Sequence, residues 1–378
     1  MLENRLVVVL TLVPALVACA ACGNRKPAAE TSSTAFTQTA SGIPGAQAEA
    51  PCTFPTTVAP VVEETAWRLF IAATCPVNRD KYPYVVWQNW VEQADLFGDK
   101  ALLAAEVGKR PKLHASFLAK MLANGNRFTV EMANQDCDTR PSGRTICEEV
   151  RQSPATAAYI RDTPLLTKAQ EEAFVGAHRA FAFPGPSIEI KVDWIQLATC
   201  DAPPVGVHVE RIADSCYALA GMHFISKLID KWIWATFEPQ NSVTNPKRCR
   251  VLGCLDPWGS SPAKVAPGTE DPQTAQTAAL AELMKAANLA PEWANYRLDG
   301  VQVDYLAADG SPTLLGNSII EGENVGGDLT KSSCITCHAA SAIDPQGNQG
   351  QPGFIVGIPL LPSGFVRRDF VWAFMLAK

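Results

Sequence analysis

Residues 187–197 read SIEIKVDWIQL, a run in which apolar and charged side chains alternate. The apolar positions are Ile188, Ile190, Val192 and Trp194. Such alternation is typical of a β-strand with one buried face, because successive side chains point to opposite sides of a sheet. We therefore expect a half-buried strand in this stretch. Further strands are expected at residues 217–226, 232–237 and 301–306.

Apolar residues at helical spacing occur on both sides of these strands. The predicted helices are residues 61–74, 85–97, 113–123, 168–178 and 271–287. The fourth is preceded by Thr167, with Gln170 three residues later, which is a capping-box arrangement. Because the strands cluster in the middle of the chain, we predict an α+β fold. Its centre would be a mostly antiparallel sheet with surrounding helices.

The composition limits the classes of function. The chain has 378 residues, of which 47% are hydrophobic and 19% charged, so it can bury a core and is not a disordered protein. Its formal net charge is −6, and it contains no long block of basic residues. A protein that binds a phosphate backbone needs such a basic surface. We therefore expect no nucleic-acid partner.

The N-terminus carries an export signal. Residues 6–21, LVVVLTLVPALVACAA, form an apolar run that is too short for a comfortable membrane span. Residues 16–19, LVAC, resemble the lipobox of bacterial lipoproteins, so we predict a lipoprotein-type signal peptide over residues 1–18 and lipidation of Cys19. Ordinary cleavage at a small-residue site is the alternative. The expected location is the periplasm or the outer membrane, with a lipid anchor in the membrane.

Three segments follow the predicted signal peptide. Residues 19–50 are rich in Ala, Thr, Ser, Gly and Pro without periodicity, and we predict a flexible tether. Residues 51–325 form the expected α+β body. Residues 326–378 are rich in Gly and Pro and contain the motif discussed below. This last segment is short for a domain of its own, so we expect it to dock onto the body.

The cysteine count points to an oxidising compartment. Of the chain's twelve cysteines, eight lie outside the leader region and the C-terminal motif. Eight cysteines allow about a hundred connectivities. We expect each to pair with its neighbour in sequence, with a metal site or exchangeable redox pair as the alternative. The expected pairs are Cys52 with Cys75, Cys137 with Cys147, Cys200 with Cys216, and Cys249 with Cys254.

Residues 332–339, SSCITCHA, contain the C-x-x-C-H signal for covalent attachment of a c-type haem. On a short helix capped by Ser333, Cys334 and Cys337 would share one face and form thioethers with the haem. His338 would then be the proximal iron ligand. A zinc site or a fifth disulfide are the alternatives. We therefore expect one covalent haem c as the cofactor.

The sixth iron ligand is ambiguous in the sequence. His223 lies in a predicted buried strand, and we rank it first. Met375 is downstream of the motif, as the methionine ligand of small cytochromes c often is, but it lies close to the chain end. The histidines at positions 114 and 178 fall on amphipathic helices and are expected at the surface, and His208 is undecided.

Several stretches resemble an uncharacterised group of bacterial, mono-haem c-type cytochrome proteins. They include AWRLFIAATCP near residue 66, SIEIKVDWIQL, YALAGMHFISK near residue 217, NSIIEGEN near residue 317, and SSCITCHA. The resemblance implies a single haem on Cys334, Cys337 and His338, a periplasmic or outer-envelope location, and a histidine at the position of His223. In that group a histidine often follows a Phe-Glu pair, whereas here Pro239 follows it.

Two main classes of function agree with these observations, and a sensor or structural lipoprotein is a further alternative. The first is a periplasm-facing electron-transfer cytochrome that docks a redox partner protein. The second is a haem-dependent oxidoreductase or peroxidase with an open sixth iron position. The carboxylates of Glu189, Asp193 and Glu238 could serve acid–base chemistry, but solvated strand faces or single hydrogen bonds are the simpler interpretation.

Overall fold

The computed structural model describes residues 50–77, 84–97, 137–212, 214–240, 248–268 and 273–377. The predicted signal peptide, Cys19, the predicted helix 113–123 and His114 lie outside these ranges. So does the predicted tether, apart from Ala50. Among the described residues, no helix is both long and apolar enough to cross a membrane.

An eight-stranded sheet forms the centre of the described chain. Its strands are β3 (Val91–Glu92), β4 (Asp138–Thr139), β5 (Thr145–Gln152), β6 (Ile188–Gln196), β7 (Val209–Ile212), β8 (Ser215–Ser226), β9 (Ile233–Pro239) and β14 (Tyr296–Gln302). Its main path is β14–β9–β8–β6–β5–β3, with β4 beside β5 and β7 beside β8. Every strand pair in it is antiparallel. The mixed class with a mainly antiparallel sheet is therefore confirmed.

Short two-stranded pairings complete the β-structure of the described residues. They pair β1 (Pro76–Val77) with β2 (Tyr84–Val85), β10 (Cys254–Leu255) with β12 (Lys264–Val265), β11 (Ser260–Ser261) with β13 (Ala275–Gln276), and β15 (Ala342–Ile343) with β16 (Val366–Arg367). The strands predicted around β6, β8 and β9 are confirmed. The one predicted at 301–306 is mostly wrong, because β14 ends at Gln302.

In the part of the chain that the structure describes, the α-helices are few and most are short. They are Val62–Thr74, Gln93–Leu96, Pro154–Asp162, Lys168–Gly176, Arg248–Leu252, Ala278–Ala286 and Cys334–Ala339. Thr167 and Gln170 form the expected capping box. The predicted helix 271–287 is confirmed only in part: it begins at Ala278, after Thr277, whose hydroxyl accepts from Leu280 N.

The prediction of one helix over residues 85–97 is wrong. A 3₁₀ turn, Val86–Asn89, leads into β3, and a single helical turn follows. Gln88 Oε1 accepts from Val85 N, and Arg151 donates Nη1 to the carbonyl of Trp90. Pairing of β3 with the edge of β5 thus overrides the helical spacing.

The two faces of the sheet bury different cores. On one face, Val192 of β6 and Phe237 of β9 pack with the helix Val62–Thr74 through Trp67 and Phe70. Alternation along the strands sends their neighbours to the other face. There a second core joins Trp232 and Trp234 to residues of the C-terminal segment, including Ile335, Ala339, Phe370 and Phe374.

All four expected disulfides are present in the structure, each between sequence neighbours. The separations along the chain range from 5 to 23 residues. Two of the bridges tie sheet strands: Cys147 lies in β5 and Cys216 in β8. The bridges therefore close local loops around the central sheet.

Candidate functional site

The C-x-x-C-H motif opens the short helix Cys334–Ala339. Ser333 occupies the N-cap position, but its hydroxyl donates to Thr336 Oγ1 at 2.9 Å and caps no backbone N–H, contrary to the prediction. Gln302, at the end of β14, takes over that role. Its Oε1 accepts from Ile335 N at 3.0 Å, while its Nε2 donates to Ser333 Oγ. The sheet itself therefore fixes the start of the motif helix.

A cavity lies between this helix and the second face of the sheet. Its empty volume is about 630 Å³, part of which is open to solvent. The residues around it include Lys191, His223, Ile225, Trp234, Glu321, Cys334, Cys337, His338 and Phe354. The two cysteines and the histidine of the motif therefore all border one cavity.

His338 has one ring nitrogen bound and one left over. Its Nδ1 lies 2.8 Å from the carbonyl oxygen of Phe370, and because a carbonyl only accepts, Nδ1 carries the proton. Burial lowers the pKa of His338 to about 3, although the Phe370 carbonyl opposes the shift. The ring is therefore neutral, with an unprotonated Nε2. This is the form of histidine that binds a metal ion.

A strained turn places the Phe370 carbonyl. The backbone of Asp369 and of Phe370 has positive φ values of 49° and 70°, which residues other than glycine rarely adopt. The carboxylate of Asp369 stabilises this turn, since it accepts from Lys227 Nζ at 2.7 Å, Trp232 Nε1 at 3.2 Å and Phe183 N at 2.8 Å. Two segments of the body, the β8–β9 connection and the stretch around Phe183, thus hold Asp369, the neighbour of the residue whose carbonyl orients His338.

The two motif cysteines form no disulfide. Burial raises the pKa of the Cys337 thiol to about 11, so it stays protonated at neutral pH. Cys334 Sγ lies 3.4 Å from the carbonyl oxygen of Leu315. Both sulfurs are therefore thiols beside the cavity, separate from the four bridges that staple the body.

His223, on β8, also borders the cavity and is 6% exposed. Its Nε2 lies 3.0 and 3.1 Å from the two carboxylate oxygens of Glu321. Burial alone would raise the pKa of Glu321, but His223 and Lys191 hold it below its ordinary value. The carboxylate is therefore the acceptor and Nε2 the donor. Nδ1 of His223 has no hydrogen-bond partner among the described residues.

Glu321 belongs to a π-helix, Ser318–Asn324, that lies over β6 and β8. The helix is pinned at its start, because Asn317 donates Nδ2 to Thr236 Oγ1 of β9 at 2.9 Å. Asn317 Oδ1 also accepts from the backbone N–H groups of residues 319 and 320. π-Helical turns are rare and occur often at functional sites.

Charged groups continue from the cavity along β5 and β6. Lys191 Nζ lies 2.8 Å from Glu148 Oε2. Asp193 is fully buried and accepts from Asn324 Nδ2 at 2.7 Å. Burial and the neighbouring charge of Glu148 raise the pKa of Asp193 to about 8. Asp193 therefore holds its proton more tightly than an exposed aspartate does. Of the two simpler interpretations, the solvated strand face is wrong for it, whereas the single hydrogen bond is present.

Glu189 and Glu238, the other two carboxylates, are also buried rather than solvated. Glu189 accepts from Gln152 Nε2 at 2.6 Å. Glu238 accepts from the hydroxyl of Ser318 at 2.7 Å, which ties the π-helix to β9. Burial raises the pKa of both carboxyls. Neither residue borders the cavity.

The other candidates for an iron ligand lie elsewhere. Met375 does not border the cavity; its sulfur is 3.5 Å from Arg368 Nη1. His178 is exposed. His208 stacks on Trp293 in the first core and contacts two glutamates. Among the described candidates, only His223 borders the same cavity as the motif.

A second group of ligand-type residues is not a metal site. Cys249, Cys254 and the buried carboxylate of Asp299 lie close together. The two cysteines are bonded to each other, so neither offers a thiolate. The alternative of a metal site among the eight body cysteines therefore finds no support at this group.

Sequence reasoning missed Glu321, Lys191, Gln302 and Asp369. Lys191 was visible only as one charged residue of an alternating strand, and Glu321 only as part of NSIIEGEN. Comparison of the chain with protein-family models, with curated proteins and with solved structures gave no match. The geometry of the cavity is therefore the basis for a functional proposal.

Proposed function

We propose that the chain carries one haem c in this cavity, with thioethers to Cys334 and Cys337 and with His338 as the proximal iron ligand. One observation carries the proposal. Both unbridged thiols and a neutral imidazole with a free Nε2 border the same cavity. This set of donors matches what haem attachment requires.

The walls of the cavity fit a largely apolar macrocycle with a polar edge. Ile225, Trp234 and Phe354 supply apolar surface, and the Trp234 ring lies 4.6 Å from the His338 ring, measured between centroids. Lys191 and Glu321 supply the polar part of the wall. A bound haem would supply one-electron redox chemistry.

The protein's own contribution is to hold the proposed iron ligand in place. The Phe370 carbonyl keeps Nδ1 of His338 protonated and so leaves Nε2 for the iron. Gln302 fixes the motif helix to the sheet. The two buried cores on either side of the sheet keep these groups in place, which favours fast electron transfer with little rearrangement.

We propose that the haem serves electron transfer at the periplasmic or outer-membrane surface. The net charge of −6 supports docking of a redox partner protein with a basic surface. The lipobox-like residues 16–19 support anchoring through a lipid on Cys19.

A haem-dependent oxidoreductase is the second candidate. A specific observation favours it, since the cavity is partly open and carries Lys191, His223 and Glu321, groups that electron transfer alone does not need. Such groups could move protons to a small substrate bound at an open iron position. The spin state of the iron distinguishes the two candidates.

The test is expression with periplasmic haem-attachment machinery, followed by a denaturing gel stained for haem and by intact mass. We expect covalent haem in the wild type and in Ile335→Val, a control that changes a spacer residue of the motif. We expect its loss or reduction in Cys334→Ala and Cys337→Ala. Absence of covalent haem from the wild type would refute the proposal.

Optical spectra before and after cyanide then separate the two candidates. A low-spin ferric spectrum that cyanide leaves unchanged supports electron transfer. A high-spin spectrum that shifts readily supports the oxidoreductase.

A further inference from the structure

Two imidazoles border the cavity, and one ring nitrogen of each already forms a hydrogen bond. Nδ1 of His338 donates to a backbone carbonyl, which leaves Nε2. Nε2 of His223 donates to the carboxylate of Glu321, which leaves Nδ1, buried and without a hydrogen-bond partner among the described residues. A histidine that binds a metal almost always donates its other N–H to a carboxylate or a carbonyl. Both rings have this arrangement.

We propose that His223 is the second axial ligand of the haem iron, that it binds through Nδ1, and that Glu321 is the residue that positions it. The proposal rests on the proposed haem and adds three things to it: the identity of the ligand, the nitrogen that binds, and the carboxylate behind it. The iron would then have one ligand through Nε2 and one through Nδ1.

The choice of nitrogen follows from the contacts. Both oxygens of Glu321 lie within 3.1 Å of His223 Nε2, so this nitrogen could reach the iron only if the pair separated. Nδ1 needs no such change. A buried polar nitrogen without a protein partner needs another partner, such as an ordered water, an ion or a bound ligand, and the proposed iron supplies one.

The Glu321 carboxylate is itself firmly held. Its Oε2 accepts from the backbone N–H of Asn317 at 2.6 Å. The Asn317 side chain donates a hydrogen bond to Thr236. Thr236 lies directly opposite His223 in the pairing of β8 with β9. The donor ring and the carboxylate are thus tied to neighbouring strands of one sheet, which fixes their relative position.

Met375, the competing ligand, has no comparable geometry. Its sulfur contacts Arg368, and its side chain packs with Ala340 and Trp372 away from the cavity lining. Binding of iron by Met375 would need the C-terminal turn to leave this position. His223 needs no movement of the backbone to border the cavity.

A carboxylate behind a ligating imidazole makes the ring a stronger donor, which favours ferric over ferrous iron. We therefore expect Glu321 to lower the reduction potential of the haem. Removing its charge should raise the potential while leaving the ligand in place. This effect separates a positioning residue of the ligand from one that only stabilises the fold.

The experiment compares the haem-loaded wild type with His223→Ala, Glu321→Gln and Glu323→Gln. Glu323 lies two residues further along the same π-helix, where it pairs with Arg144, so its variant makes the same charge change away from His223. Ferric spectra and electron paramagnetic resonance report the ligand. Potentiometric titration of each protein reports the reduction potential.

We expect a low-spin wild type with two nitrogen ligands and a high-spin His223→Ala that added imidazole returns to low spin. Glu321→Gln should stay low-spin with a raised potential, and Glu323→Gln should match the wild type. A His223→Ala protein with an unchanged low-spin spectrum would overturn the proposal. Equal reduction potentials for Glu321→Gln and Glu323→Gln would also overturn it. This comparison does not depend on His223→Ala, so it remains a test if that variant fails to fold.

A second measurement does not need the haem. In ¹⁵N-labelled full-length Cys334→Ala/Cys337→Ala protein, the nitrogen shifts of His223 should show that Nε2 carries the proton that Glu321 accepts. The reverse tautomer would overturn the assignment of the nitrogen. Covalent haem absent from the wild type would instead refute the proposed function, so the two failures are distinguishable.

Discussion

Arg368 donates Nε and Nη2 to a single carboxylate oxygen of Glu171, at 2.9 and 2.6 Å, and neither side chain is exposed to solvent. The pair joins the C-terminal segment to the helix Lys168–Gly176 of the body. Arg368 also donates Nη1 to Gln349 Oε1 at 2.9 Å. The segment that carries the C-x-x-C-H motif is therefore held to the body by a buried ion pair as well as by the second core.

Loss of one partner of this pair should be costly. We expect Arg368→Ala to lower the free energy of unfolding by about 3–5 kcal/mol, because the Glu171 carboxylate would remain buried without its partner. Urea unfolding followed by tryptophan fluorescence measures the change. Lys285→Ala is the control, since its pair with Glu282 is largely exposed. A loss in Arg368→Ala no larger than the control would contradict this prediction.

Gly221 leaves room for the side chain that begins the π-helix. A Cβ at this position would lie 2.5 Å from Asn317 Oδ1. We expect Gly221→Ala to lower the free energy of unfolding by about 1–3 kcal/mol, as overpacking usually does. Because Asn317 also holds Glu321, the variant should also disturb the His223–Glu321 pair.

Gly185→Ala is the matched control for Gly221→Ala, because a Cβ there meets nothing within 4 Å. Thermal unfolding of both variants, together with the ferric haem spectrum, tests the prediction. A Gly221→Ala protein as stable as Gly185→Ala would show that Asn317 can move away at no cost.

Asp193 should make stability depend on pH. Its pKa in the folded protein is raised from 3.8 to about 8 by burial and by Glu148. The folded state therefore binds a proton that the unfolded state has released between these values, so the contribution of Asp193 is full below pH 3.8 and is lost as the pH rises to about 8. We expect the stability of the wild type to fall relative to that of Asp193→Asn over this window.

Urea unfolding of the wild type and Asp193→Asn at pH 5 and at pH 8.5 measures the difference. Asp162→Asn, which changes an exposed carboxylate, is the control. Parallel stability profiles for the wild type and Asp193→Asn would mean that Asp193 is ionised in the folded protein.

The disulfides can be tested by chemistry. We expect non-reduced peptide maps to contain the four neighbour pairs, and alkylation of protein without haem to label Cys334 and Cys337 among the described cysteines. The double variant Cys52→Ala/Cys75→Ala should lose about 2–4 kcal/mol of stability. A different set of bridged peptides, or rapid labelling of the other eight cysteines, would argue against this map.

Parts of the molecule could be predicted from local sequence because the physics there is local. The strand 188–196 follows from alternation, the helix Lys168–Gly176 from its capping box, and the four bridges from nearness along the chain. The failure at residues 85–97 has the opposite cause. Pairing of Val91 with Gln152, far along the chain, outweighed a helical spacing of apolar residues.

The candidate site likewise has a part that local sequence predicts and a part that only the tertiary structure brings together. The sequence alone points to Cys334, Cys337 and His338, because the C-x-x-C-H signal for haem attachment places these residue types within one helical turn. It ranks His223 above Met375 but offers no reason for a particular ring nitrogen. His223 and Glu321 are 98 residues apart, and they meet because the sheet register and the π-helix bring them together. Contacts of that range depend on packing, which no local pattern encodes.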